Sequence, residues 1–245
     1  MIYVSLTTIP ERVKALNKSV ESLLKQSKKP DKIFINIPIK YKRFSSEIKN
    51  EEIPSFNSDL VEINRCEDFG PGTKLLGAVK KIKKNSLLIL ADDDHIYEDY
   101  MIEKFYEFYN KSSQNAYSFY VHPLGNFGVG QGADGFAINT NFLTGINDFY
   151  DKIVKQNNDL FVHDDLWISF FLFYIKNVKI LSLQSQLKRN KANKLSLIYQ
   201  KYINDGGLIA TYGKNINEAI KNRDMIAIKC LNYMKKKIDV NKFTF

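Results

Sequence analysis

A chain of 245 residues with a hydrophobic fraction of 44% is long enough to bury one α/β core and does not require two domains. The formal net charge is +9, yet the basic residues are scattered and not interleaved with the aromatic ones, which argues against a nucleic-acid groove. The two cysteines, Cys66 and Cys230, are far apart in sequence and give neither a metal-ligand spacing nor a disulfide framework, so reduced thiols are expected.

The first residues, Ile2-Tyr3-Val4-Ser5-Leu6, read as a buried strand, and Pro10, Glu11 and Arg12 end the apolar run before a signal-peptide core could form. After the turn Thr7-Thr8-Ile9-Pro10-Glu11-Arg12, the apolar residues Val13, Leu16, Val20, Leu23 and Leu24 share one helical face. Lys32–Ile37 alternates as a second strand. Pro38 to Asp59 is polar and proline-interrupted, a loop with short helical pieces. Leu60–Asn64 is a third strand, followed by Asp68-Phe69-Gly70-Pro71-Gly72 and a helix predicted over Thr73–Lys83. Ser86–Ala91 is a fourth, wholly apolar strand running straight into Asp92-Asp93-Asp94-His95. A helix over Tyr100–Tyr109 and a strand over Ala116–Val121 continue the alternation, which predicts an α/β fold with a mostly parallel, doubly wound sheet flanked by helices.

The second half is less regular. A glycine-rich stretch from Gly125 to Gly135 precedes Phe136-Ala137-Ile138, and a short helix is expected from Asn141. His163-Asp164-Asp165 opens an apolar helix through Tyr174, and Val178–Leu183 reads as a last strand. The run Leu166 to Ile175 falls short of the roughly 20 residues a membrane span needs, so a cytoplasmic chain is expected. The remainder, residues 186–245, is a basic extension ending in an amphipathic helix from Ile216 to Lys237, expected to pack on a core of residues 1–185. Its lysines, including the group from Lys188 to Lys194, suit solvation, an acceptor, or peripheral contact with an anionic membrane.

Open α/β sheets bind ligands beyond the carboxyl ends of their strands, where Asp92, Asp93, Asp94 and His95 fall. Adjacent carboxylates repel one another, and a divalent cation that also bridges to phosphate oxygens is the natural compensation. One aspartate capping a following helix is the plainer alternative. The second acidic pair, Asp164-Asp165, sits at a helix start and could cap it or deprotonate an acceptor hydroxyl. Arg12 could grip a phosphate or a neighbouring carboxylate, and Lys74 offers a point charge beside a turn bracketed by glycines. Gly128, Gly130, Gly132 and Gly135 permit close backbone approach to a ligand or serve as a flexible connector.

The run Leu90-Ala91-Asp92-Asp93-Asp94-His95 resembles the DXD motif of GT-A glycosyltransferases, family-2-like. The opening turn Thr7-Thr8-Ile9-Pro10-Glu11-Arg12, the segment Asp68 to Lys74, and His163-Asp164-Asp165-Leu166-Trp167 resemble further segments of that family, in the same order. The likeness covers Met1 to Leu183. It implies a GT-A core transferring a single sugar, a hexose or deoxyhexose, from a nucleotide-sugar donor to a glycan or lipid-linked acceptor, with UDP-sugar favoured and inversion expected. It also implies Mn²⁺ or Mg²⁺ as cofactor, held mainly by Asp94 with Asp92, and with His95 either a further ligand or a helix cap. Donor binding falls to Thr7, Thr8, Arg12, Asp68, Lys74, Asp92, Asp93 and Asp134, and the base to Asp165, with Asp164 beside it. His163 would ligate the metal or orient Asp164, and Trp167 would stack on a sugar or lie in the core. The Gln/Arg-x-x-Arg-Trp continuation found in many family-2 enzymes is missing, which argues against processive synthesis. A non-catalytic nucleotide- or glycan-binding relative and a nucleotidyltransferase are the rival readings; the latter calls for a glycine-rich loop after the first strand, and Thr7–Arg12 contains no glycine.

Overall fold

A computed structural model describes residues 1–186, 198–201 and 214–241. The basic group from Lys188 to Lys194 and the pair Gly206-Gly207 lie outside the described residues. The central sheet has seven strands. Four of them, β1 (Ile2–Thr7), β2 (Lys32–Pro38), β3 (Val61–Cys66) and β4 (Leu87–Leu90), pair in parallel in the order β3-β2-β1-β4. Beyond β4, the sheet continues through β9 (Phe136–Asn139) to β6 (Ala116–Ser118) and β10 (Ile180–Ser182). Strand β9 runs antiparallel to both β4 and β6, so the sheet is mostly, not wholly, parallel.

The central strands β1 and β4 are largely apolar because both their faces are covered. Along β4, Leu88 and Leu90 point into one hydrophobic cluster and Leu87 and Ile89 into the other. The second cluster includes Val13, Leu16, Val20 and Leu23 of the first helical segment, a 3-10 turn followed by α1 (Leu16–Leu24), and Phe105 of α3 (Met101–Lys111). The first includes Phe149, Leu160 and much of α6 (Asp164–Phe170), which continues as a π turn over Phe171–Ile175. The alternation expected of β2 gives way to burial from Ile33 to Pro38, since this strand is sandwiched on both sides.

Other segments depart from expectation. The helix predicted over Thr73–Lys83 is α2, only Thr73–Leu76, and Gly77 after it packs so closely on Asn36 that a Cβ there would stand 2.7 Å from Asn36 Oδ1. The stretch after Asp94 is a short strand, β5 (His95–Tyr97), paired antiparallel with β11 (Ile198–Lys201), a strand beyond the one expected to be last. The run predicted as one strand from Ala116 breaks after Ser118 and resumes as β7 (Val121–Leu124), which forms a hairpin with β8 (Phe127–Gly130). Gly125, at φ +63°, is in its turn. Phe127–Gly130 of the glycine-rich stretch is therefore ordered ladder and not a connector.

The long C-terminal helix, α8 here, spans Ile216–Asn241. Its buried residues Cys230, Leu231 and Met234 belong to the same hydrophobic cluster as Trp167 and Phe170. The helices α4 (Ile146–Phe149), α5 (Asn158–Phe161) and the four-residue α7 (Leu183–Gln186) complete the described set. No described helix is long and apolar enough to cross a membrane. Both thiols are free, Cys66 half-buried and Cys230 buried.

Candidate active site

Strand order reverses at β1: its sequence successor β2 lies on one side and β4 on the other. This is the topological switch point, and the carboxyl ends of β1 and β4 open there. Ala91 still pairs with Ser5 through its N–H, so the three aspartates leave the sheet beside Thr7 and Thr8.

The aspartates point to different partners. Asp93 turns toward the β1–α1 turn, accepting a hydrogen bond from Thr8 Oγ1 at 2.5 Å and one from Arg12 at 3.0 Å. Burial pushes its carboxyl up to about 6, against the opposing pull of Arg12 and Thr8. Arg12 also lies 3.4 Å from Asp94 Oδ2, so its guanidinium grips carboxylates, one of the two roles open to it. Thr7 donates to the Asn36 carbonyl and belongs to the sheet. Asp94 Oδ1 faces His95 Nδ1 at 2.6 Å. His95 starts β5, and the next helix begins at Met101 after Tyr100, so the helix-cap alternative for His95 fails.

Lys74 departs most from its expected place. Its ammonium is buried, 2.6 Å from Asp92 Oδ1 and 3.2 Å from Asp164 Oδ2, and so clamps the first acidic motif to the second. Burial works against its charge, but Asp164, Asp92 and Asp165 outweigh it and hold its pKa well above that of an ordinary lysine. The expected point charge toward a diphosphate is already engaged by carboxylates. Asp68 is likewise committed: it accepts from the backbone N–H groups of Lys42 (2.6 Å) and Gly70 (2.8 Å) and so shapes the turn leading to α2.

Asp165 accepts from the Gly132 N–H at 2.9 Å. Burial, with the nearby charge of Asp164, raises its carboxyl to about 8, and Lys74 offsets this only in part. Gly132 is where the glycine-rich stretch approaches the site, since a Cβ there would stand 2.7 Å from Lys74 Nζ and 3.3 Å from Asp165 Oδ1. Gly132→Ala is expected to displace one of these groups and lower catalytic turnover by about tenfold or more with the fold retained, as read by kinetics alongside circular dichroism. Asp134, half-buried, stands near enough to Asp92 and His95 to feel both; burial and Asp92 raise its pKa while His95 lowers it.

Three atoms, one each from Asp92, Asp94 and His95, lie within 4.8 Å of one another. This is the set expected from the sequence, and two carboxylate oxygens with one imidazole nitrogen suit Mn²⁺ or Mg²⁺. Charge balance points the same way. Among the described residues Asp92, Asp93, Asp94 and Asp164 converge on two cations, Arg12 and Lys74. His163 is buried outside that set at the start of α6, and burial lowers its pKa. Trp167 is fully buried, edge-on to Tyr150 and beneath Gly72, so it is core and not a sugar platform.

Two supports escaped the sequence reading. Tyr97 accepts from the Asp92 N–H at 2.7 Å and donates to the Ala133 carbonyl at 3.1 Å, pinning the first acidic motif to the glycine-rich stretch. Ser5 donates to the Lys74 carbonyl, Asn36 to Ser5, and Asn64 to Asn36, a buried chain that seats α2 on the sheet. A polar Asn36 between Ile35 and Ile37 was its visible signal; Tyr97 had none, because a tyrosine in a short strand is ordinary core.

The sequence matches no protein-family model and no curated protein. Among solved structures, the chain is similar to the 2-C-methyl-D-erythritol 4-phosphate cytidylyltransferase IspD of Francisella tularensis, at 14% identity and a TM-score of 0.48, over 74% of this chain and 88% of that one. It is also similar to S. aureus TarS 1-349, at 13% identity and a TM-score of 0.47, over 74% of this chain and 58% of that one. With TarS 1-349 in complex with UDP-GlcNAc the identity is 12% and the TM-score 0.41, over 61% of this chain and 48% of that one. The chain thus spans about half the length of the TarS fragment.

Proposed function

We propose that this protein is a metal-dependent glycosyltransferase that moves one sugar from a nucleotide-sugar donor, a UDP-sugar by preference, to a hydroxyl of a glycan or lipid-linked acceptor, with inversion. The observation that carries the reading is the joining of two acidic motifs, 70 residues apart in numbering from Asp94 to Asp164, at one switch point through Lys74. One motif has the donor atoms for a divalent cation, and the other has a carboxyl with a pKa near neutrality.

In this mechanism Asp92, Asp94 and His95 hold Mn²⁺ or Mg²⁺. When bound, the metal supplies Lewis-acid stabilisation of the leaving diphosphate. Arg12 and Thr8 fix Asp93, which keeps the β1–α1 turn against the metal-binding loop. Tyr97 fixes Asp92 and the backbone at Ala133, so Asp134 faces the same space as a candidate partner for donor hydroxyls. Asp165, held by the Gly132 N–H, takes the proton from the acceptor hydroxyl as it attacks the anomeric carbon, and Asp164 keeps Lys74 between the motifs. The glycine-free β1–α1 turn disfavours a nucleotidyltransferase.

Isothermal titration calorimetry with UDP and Mn²⁺ tests the reading. Wild type is expected to bind UDP in a metal-dependent manner, and Asp94→Ala to lose at least about tenfold in Mn²⁺ affinity while remaining folded. A wild-type protein that binds neither Mn²⁺ nor any nucleoside diphosphate would end this proposal.

A further inference from the structure

A cavity of about 320 Å³ adjoins Asp164 and Asp165 at the start of α6, and the C-terminal helix α8 forms part of its wall. Most of the described lining is polar or charged. His122 comes from β7, Gln131 follows β8, His163 precedes α6, and Arg223 and Asp224 come from α8. Apolar groups such as Leu124, Val129 and Ala227 share the lining with them.

The charges of this lining are paired off. Lys74 stands 3.2 Å from Asp164 Oδ2. Arg223 donates to Asp224 Oδ1 from both Nε, at 3.1 Å, and Nη2, at 3.0 Å. Burial, aided by Arg223, lowers the pKa of His163 despite Asp164 and Asp159, which keeps its imidazole neutral near neutral pH. Asp165 is the acidic group left over in the described lining, and a carboxylate repels an anion. Among the described residues the lining therefore offers no unpaired cation to a phosphate or carboxylate, although the whole chain has a formal net charge of +9.

We infer that Arg223 and Asp224 of α8 select the acceptor in this cavity, and that it is a neutral, hydroxyl-rich group, the terminal sugar of a glycan. The inference rests on the glycosyltransferase reading and adds to it the class of acceptor and the residues that choose it. A sugar ring carries hydroxyls around its edge, each able to donate and to accept, and hydrogens on carbon across its faces. Carboxylates accept from such hydroxyls, a guanidinium donates to them, and the amide of Gln131 does both. The apolar residues of the same lining can meet the ring faces without stranding a hydroxyl. Both Arg223 bonds fall on one oxygen of Asp224, so the pair keeps Nη1 as donor and Oδ2 as acceptor for neighbouring hydroxyls. Asp165 lines the same cavity, so a hydroxyl of the ring held there meets the proposed base. The volume is at the small end for ligand cavities and suits one sugar unit, not an extended oligosaccharide.

The test titrates methyl glucoside, methyl galactoside and methyl N-acetylglucosaminide into the UDP- and Mn²⁺-loaded protein by calorimetry, beside the anionic methyl glucuronide and methyl galacturonide. At least one neutral glycoside is expected to bind, and about tenfold more tightly than either uronide. Arg223→Gln and Asp224→Asn, both at partly exposed positions, should each weaken that glycoside by about tenfold. The UDP and Mn²⁺ affinities and the thermal midpoint should stay unchanged in both variants. The inference is overturned if no neutral glycoside binds, if a uronide binds as tightly as the best of them, or if both variants keep affinity within about twofold of wild type. A wild type that binds neither UDP nor Mn²⁺ would instead overturn the enzymatic reading. The same glycosides titrated without nucleotide, into wild type and both variants, would then still decide whether the cavity takes a neutral sugar through Arg223 and Asp224.

Discussion

Asp165→Asn is expected to reduce sugar transfer by about 10²–10⁴-fold while leaving UDP and Mn²⁺ affinity within about twofold of wild type. The carboxamide keeps the size of the side chain and an oxygen for the Gly132 N–H, but it cannot take a proton. The pH dependence provides an independent check. A carboxyl raised to about 8 is mostly protonated at pH 6, so wild-type transfer should rise with pH and level off above about pH 8. Stability should move the other way. Between the ordinary 3.8 and about 8, the folded chain holds a proton on Asp165 that the unfolded chain has released, so stability falls as pH rises through that window. Asp93, raised to about 6, adds a slope of the same sign below pH 6. Urea denaturation across pH 5 to 9 should therefore show a shallower decline for Asp165→Asn than for wild type. A transfer rate that Asp165→Asn leaves intact would remove Asp165 as the base.

The largest loss of stability is expected from Lys74→Met. The ammonium is only 4% exposed and lies between Asp92 and Asp164, with Asp165 close by. Methionine fills much of the same volume, so the change removes charge more than packing. Two buried carboxylates are then left facing each other without the cation that separates them, and removing one partner of such an arrangement typically costs about 3–5 kcal/mol. Chemical denaturation reads this directly, and a loss below about 1 kcal/mol would mean that the ammonium does not bridge the motifs. The same variant distinguishes two roles for Lys74. If it bound the diphosphate, its loss would weaken UDP binding with little effect on stability. As the clamp between the two motifs, it should affect stability first and transfer through misplacement of Asp165.

Much of the sheet was legible from periodicity. The run Leu87–Leu90 is apolar without interruption, and Ile2–Leu6 is broken only by Ser5, because each lies between two hydrophobic clusters, and a strand buried on both faces leaves that mark in sequence. The helix opened by Asp164 and the late amphipathic helix were legible for a similar reason: three or four apolar residues per two turns reflect a covered face. The candidate metal-binding group was legible because Asp92, Asp94 and His95 are neighbours in the chain, so local geometry alone brings their atoms together.

Sequence patterns failed where a distant contact decided the outcome. Residue 77 must be glycine because it meets Asn36, a residue of β2. Within the glycine-rich stretch, Phe127–Gly130 pairs with Val121–Leu124 as a hairpin, which composition could not separate from a loose connector. By itself, then, the sequence determined the alternating apolar elements, the acidic cluster at the end of a central strand, and the presence of a second acidic pair. Only the tertiary structure decided that Lys74 would be buried between them, that Arg12 would hold carboxylates, and that α8 would wall a cavity beside Asp165. The physical reason is that hydrophobic periodicity records which face a residue turns to the core, whereas the pairing of charges depends on which other charges folding brings within a few ångströms.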